Sequence, residues 1–97
     1  MELEWDEEKR LKALRERGIE FADADRFDLA SSVTRVDDRV DYGETRFVSY
    51  GDLDGRLHVM CWTKRGERMR IISLRKANER EQKAFAQTFG PRPAPDR

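Results

Sequence analysis

Three β-rich runs separated by very short turns constrain this chain most. Arg46–Gly51, Arg56–Thr63 and Arg68–Leu74 alternate β-branched, aromatic and polar residues. Asp52-Leu53-Asp54-Gly55 and Lys64-Arg65-Gly66-Glu67 lie between them. A connection of about four residues joins only antiparallel neighbours, because a parallel crossover needs about a dozen. Glycine stands where a tight hairpin needs positive φ. The centre of the chain is therefore an antiparallel meander, and everything else must pack on it.

The flanks are shorter elements. Leu3 and Trp5 alternate with Glu2 and Glu4, a strand pattern. Asp6 is placed to cap a helix running to Arg17, and Gly18 to end it. Leu11 and Leu14 give that helix only a thin apolar stripe. Phe21, Ala24 and Phe27 recur every third residue, one apolar side of a second short helix, with Asp23, Asp25 and Asp28 beside it. Val33–Val36 reads as a short strand, and Asp37, Asp38 and Asp41 read as solvated loop acids. From Arg75 onward good helix formers dominate. Residues 90–97 form a Pro-rich tail expected to be flexible, which leaves 1–89 as one domain. Helix, helix, strands and helix in that order predict an α+β sandwich.

Overall neutrality hides a charge division. Residues 1–60 hold 10 Lys and Arg against 16 Asp and Glu, and residues 61–97 hold 10 against 4. The C-terminal half thus offers a basic surface suited to phosphate or an acidic partner, or simply one pole of a solvated dipole. One cysteine, Cys61, excludes an internal disulfide and a cysteine metal cluster. No apolar run approaches membrane-spanning length and no signal peptide is evident, so a soluble cytoplasmic protein is expected.

The chemistry-bearing stretch is Thr63–Ala77. Six cations fall between Lys64 and Lys76: Lys64, Arg65, Arg68, Arg70, Arg75 and Lys76. Guanidinium groups stay charged and fit phosphate oxygens in pairs. Strict alternation puts Arg68, Arg70, Ile72 and Leu74 on one side of the strand and Met69, Ile71, Ser73 and Arg75 on the other. Solvated charges on an edge strand would look the same. His58, the only histidine, lies mid-strand and reads as a packed residue. Tyr50, Trp62 and Phe47 read as core. No metal-ligand spacing, Gly-rich phosphate loop or nucleophile elbow occurs, so neither a metal nor another cofactor is expected.

Several short blocks stand in order: Glu4-Trp5-Asp6-Glu7-Glu8-Lys9, Gly18-Ile19 with Phe21 and Ala24, Phe27-Asp28, Glu44-Thr45-Arg46-Phe47 with Gly51, Thr63-Lys64-Arg65, Arg70–Ala77 and Glu81. Together they resemble the BrnT toxin family. The resemblance runs from Leu3 to Phe85. It departs from the family pattern at Ala13 (commonly Asn), Glu16-Arg17 (Lys-His), Leu74 (Ala) and Phe85 (Tyr).

The resemblance implies a RelE-like fold, with two N-terminal helices and a C-terminal helix on a twisted antiparallel sheet. It also implies a metal-independent endoribonuclease that cleaves cellular RNA and arrests translation and growth. The implied partner is a BrnA-like ribbon-helix-helix antitoxin in a two-plus-two complex, touching operator DNA only through the antitoxin. On this reading Arg65, Arg70 and Arg75 polarise the scissile phosphate and Ser73 positions an oxygen. Glu81 or Lys9 accepts a proton, and Lys64, Arg68 and Lys76 bind RNA. The missing tyrosine and histidine leave a catalytically inactive antitoxin-binding or co-repressor module, or a plain RNA-binding protein, as the alternative.

Overall fold

A computed structural model describes residues 2–90; residue 90 apart, the expected Pro-rich tail lies outside the described residues. Five strands form one sheet in the order β1-β5-β4-β3-β2. They are β1 Glu2–Trp5, β2 Val33–Asp37, β3 Arg46–Leu53, β4 Arg56–Arg65 and β5 Arg68–Lys76. The meander β2 to β5 is antiparallel as the turns require. β1 instead joins β5 in parallel, so the sheet is mixed rather than antiparallel. A parallel partner needs a long crossover, and the 62 residues between Trp5 and Arg68 supply one.

Local chemistry explains most boundaries. Helix α1, Glu7–Arg17, starts at Asp6, whose carboxylate accepts from the backbone N–H of Glu8 and Lys9. It stops at Gly18, which takes the left-handed conformation at φ 65°. The β3–β4 hairpin closes through Asp54 and Gly55, both at positive φ, the pairing that a two-residue turn demands. Phe21–Arg26 is a 3-10 helix, not the second α-helix that the three-residue spacing suggested. A period of three is the repeat of the tighter helix. α2 spans Glu79–Phe89, starting four residues later than the sequence suggested, because β5 keeps Arg75 and Lys76 in the sheet.

The main core lies between the sheet and the α1/3-10 layer. It joins Ala13, Phe21, Ala24 and Phe27 to Met60, Trp62, Met69, Ile71 and Leu74. Phe47 stacks on Trp62 at 4.7 Å. Gly51 lets Phe27 lie directly against β3: a Cβ there would stand 2.8 Å from Phe27 Cζ. The opposite face carries a smaller cluster, Val48, Leu57, Val59 and Ala77, flanked by Tyr50, Cys61 and Phe85. α2 buries none of its residues fully and rests on this cluster through Phe85. Much of that second face is consequently open.

Candidate functional site

β5 contains one extra residue. Trp62 of β4 pairs with Ile71 and the next residue, Cys61, pairs with Ser73, so Ile72 bulges out. Alternation resumes in the opposite phase beyond it. Arg68, Arg70, Ser73 and Arg75 stand opposite Arg65, Thr63, Cys61 and Val59, alternate residues of one strand and hence one face. Met69, Ile71 and Leu74 all turn to the main core. Strict alternation had split Arg70 from Ser73 and Arg75; the bulge reunites them on the open second face. Arg65 shares that face at the hairpin end.

Each arginine of the face is held by a carboxylate. Arg75 donates twice to Glu81, at 2.7 and 2.8 Å. A reciprocal capping arrangement with Asn78 aims Glu81 back at the strand. The Arg75 guanidinium is the main cause that brings the Glu81 carboxyl down to about 2. Glu81 is therefore an ionised clamp and a weak proton acceptor at neutral pH. Arg70 donates to Glu4 at 2.7 Å, and Arg68 pairs with Glu2 at 3.3 Å. Arg65 and Arg46 share Glu44, at 3.2 and 3.3 Å. Arg46 also lies 4.0 Å over the Tyr42 ring.

The acids Glu2, Glu4 and Glu44 escape sequence reasoning, since their partners lie on other strands. Asp37 is a further surprise. It ends β2 at 4% exposure, and two bonds from Arg39 and one from Tyr42 hold its carboxyl far below the ordinary range, Arg39 contributing most. It is thus no solvated loop acid.

The remaining candidates are dispersed. Lys9 is exposed on α1 and free of ion pairs, and its ammonium is among the charges felt by Cys61. Lys64 and Lys76 stand opposite Met69 and His58, on the α1 face rather than the arginine face. Ser73 makes no side-chain hydrogen bond. The Cys61 thiol is half-buried and pushed up, chiefly by burial and then by Asp37, which leaves it a poor nucleophile. His58 is buried as expected, with Nδ1 2.8 Å from the Arg56 carbonyl.

Among the described residues no group of three or more His, Cys, Asp or Glu is arranged to hold a metal ion. None of their helices is long and apolar enough to cross a membrane. This open face can bind phosphate only by exchanging carboxylates for phosphate oxygens. The exposed pairs of Arg65 and Arg68 are worth about 0–1 kcal/mol, while the part-buried Arg70–Glu4 and Arg75–Glu81 pairs cost more to open.

No curated protein matches the chain. A family model described as "Ribonuclease toxin, BrnT, of type II toxin-antitoxin system" matches residues 5–81, the span from β1 to the Arg75 clamp on α2. The chain belongs to this BrnT family of ribonuclease toxins, whose counterpart is an antitoxin.

Proposed function

We propose that RNA is cleaved on the arginine face of β5, by a metal-independent route. The observation that carries this reading is the bulge at Ile72, which gathers Arg70, Ser73 and Arg75 on one open surface. The ribose 2′-oxygen attacks the adjacent phosphorus while its proton passes to a base. The bond to the 5′-oxygen breaks as that oxygen gains a proton, leaving a 2′,3′-cyclic phosphate and a 5′-hydroxyl end. Arg70 and Arg75 leave their carboxylates and donate to the equatorial oxygens, where negative charge accumulates. Ser73 orients the attacking or equatorial oxygen. Glu81 holds Arg75 in place until the phosphate displaces it. The base that takes the 2′-proton is solvent water. Arg65 extends phosphate binding to the hairpin end. Arg68 adds backbone contacts, with Lys64 and Lys76 receiving RNA that passes beyond the face.

The fold is read as RelE-like, with α2 in the place of that family's C-terminal helix. The antitoxin is read as BrnA-like, a ribbon-helix-helix protein in a two-plus-two complex, and operator DNA is met through it alone. Cleavage in the cytoplasm stops translation and growth.

Induction of the wild type beside an Arg65→Ala/Arg75→Ala variant tests the site. Wild-type protein stops growth and degrades RNA, and the variant loses about 100-fold or more of its cleavage while keeping its fold. Equal RNA damage by both sinks the assignment. The closed arginine–carboxylate pairs favour a second reading, an inactive antitoxin-binding module. It requires harmless wild-type induction at full soluble expression.

A further inference from the structure

On the reverse of the arginine face, between the end of α1 and the β4–β5 pair, lies a pocket of about 340 Å³. Its walls include Ile19, Asp23, Asp54, Arg56, His58 and Lys76. Its charges differ from those of the arginine face. Both acids, Asp23 and Asp54, are engaged by Arg26, at 3.4 and 2.8 Å. Among the described residues neither Arg56 nor Lys76 has a carboxylate partner; Arg56 donates to the Ala77 carbonyl, at 3.2 Å. The pocket therefore offers two uncommitted cations, where each arginine of the other face is already neutralised.

His58 supplies the second feature. The Arg56 carbonyl can only accept, so Nδ1 carries the proton and Nε2 keeps its lone pair. Nε2 bonds to no protein group, yet no buried polar side-chain atom among the described residues lacks a partner. Nε2 thus opens to the pocket. Burial, then Lys76 and Arg56, lower the histidine's affinity for a second proton, while the Arg56 carbonyl and Asp54 oppose them. A neutral imidazole acceptor beside two free cations matches a sugar hydroxyl next to a phosphate.

We propose that this pocket binds one ribose-phosphate unit of RNA, Lys76 and Arg56 taking the phosphate and His58 Nε2 accepting from the 2′-hydroxyl. A 2′-hydroxyl donor is the group that separates RNA from DNA. Arg75 and Lys76 are consecutive and face opposite ways, so the subsite stands back to back with the cleavage face. The inference rests on the family's ribonuclease activity and not on the arginine assignment.

Adenosine 3′-monophosphate is the probe, because it carries both groups and has no bond to be cleaved. The single histidine gives one imidazole signal to follow by NMR. The ribonucleotide shifts that signal in a saturable way, and 2′-deoxyadenosine 3′-monophosphate shifts it much less. Lys76→Gln, an exposed position that the fold does not need, weakens ribonucleotide binding roughly fivefold, the loss of one charge-assisted contact. The proposal is overturned if neither nucleotide moves the signal, if both move it equally, or if Lys76→Gln binds as wild type. Failure of the arginine-face reading shows separately, as unchanged RNA cleavage by the Arg65→Ala/Arg75→Ala variant.

Discussion

Replacing Glu81 by Gln preserves shape and removes one charge from the clamp on Arg75. The carboxyl is held at about 2 against an ordinary 4.5, mainly by two hydrogen bonds from the guanidinium. Such a displacement corresponds to roughly 3 kcal/mol at 1.36 kcal/mol per unit. Arg75 keeps 38% of its side chain in water, so screening reduces this to about 1–2 kcal/mol. The folded-state value is the depressed one. The contribution is therefore complete above the unfolded value of 4.5 and disappears as pH falls through about 2. At pH 3 only about two-fifths of it remains. Urea unfolding followed by tryptophan fluorescence measures it. At pH 7 the Glu81→Gln midpoint falls by on the order of 1 M, and at pH 3 the gap between the proteins shrinks by more than half. Coincident curves at pH 7, or a gap undiminished at pH 3, would refute the reasoning. On the proposed reading Glu81 holds Arg75 only until phosphate displaces it, so Glu81→Gln also loses less cleavage than Arg75→Ala does.

Three other outcomes follow from packing and charge. Ser49 is fully buried, accepts from the Trp62 indole at 2.8 Å and shares a hydrogen bond with Thr34 at 2.7 Å. Ser49→Ala strands the indole N–H, costing about 1–3 kcal/mol and lowering the melting temperature by roughly 5–15 °C in a calorimetric scan. Gly51→Ala drives a methyl into Phe27 and Ser32, at 2.8 and 2.9 Å, and destabilises by about 1–3 kcal/mol in urea titrations. A Phe27→Leu partner change should recover part of that loss; strict additivity would point away from this contact. Asp37→Asn releases Arg39 and Tyr42 together, and limited proteolysis should then cut within residues 38–45 faster than in wild type.

Elements governed by neighbouring residues were legible in the sequence. Asp6 and Gly18 bound α1 as their chemistry demands. The Asp54-Gly55 turn closes its hairpin, and the strand cores at Arg46, Arg56 and Arg68 begin where β patterning begins. Features that depend on distant partners were not legible. β1 carries a clear alternation, but only its register against β5, Glu4 beside Arg70, reveals a parallel edge and a paired arginine. Asp37 looks like one more loop acid until Arg39 and Tyr42 close on it. The arginine cluster was visible as composition, but its geometry was not. Arg68 to Leu74 contains no glycine to mark a bulge, so two-residue alternation assigned Arg70 and Arg75 to different sides.

The extra residue at Ile72 has a consequence for how this strand tolerates change in length. A substitution along β5 alters one side chain, whereas deleting Ile72 would only remove the bulge, leaving Ser73 opposite Cys61 in an unbroken ladder. Leu74, with no exposed surface, would stay in the core, and Arg75 on the open face. The bulge is thus a one-residue reserve of length in the middle of the strand. Alignments of related chains that omit this one-residue offset will match core positions to surface positions from Ser73 onward.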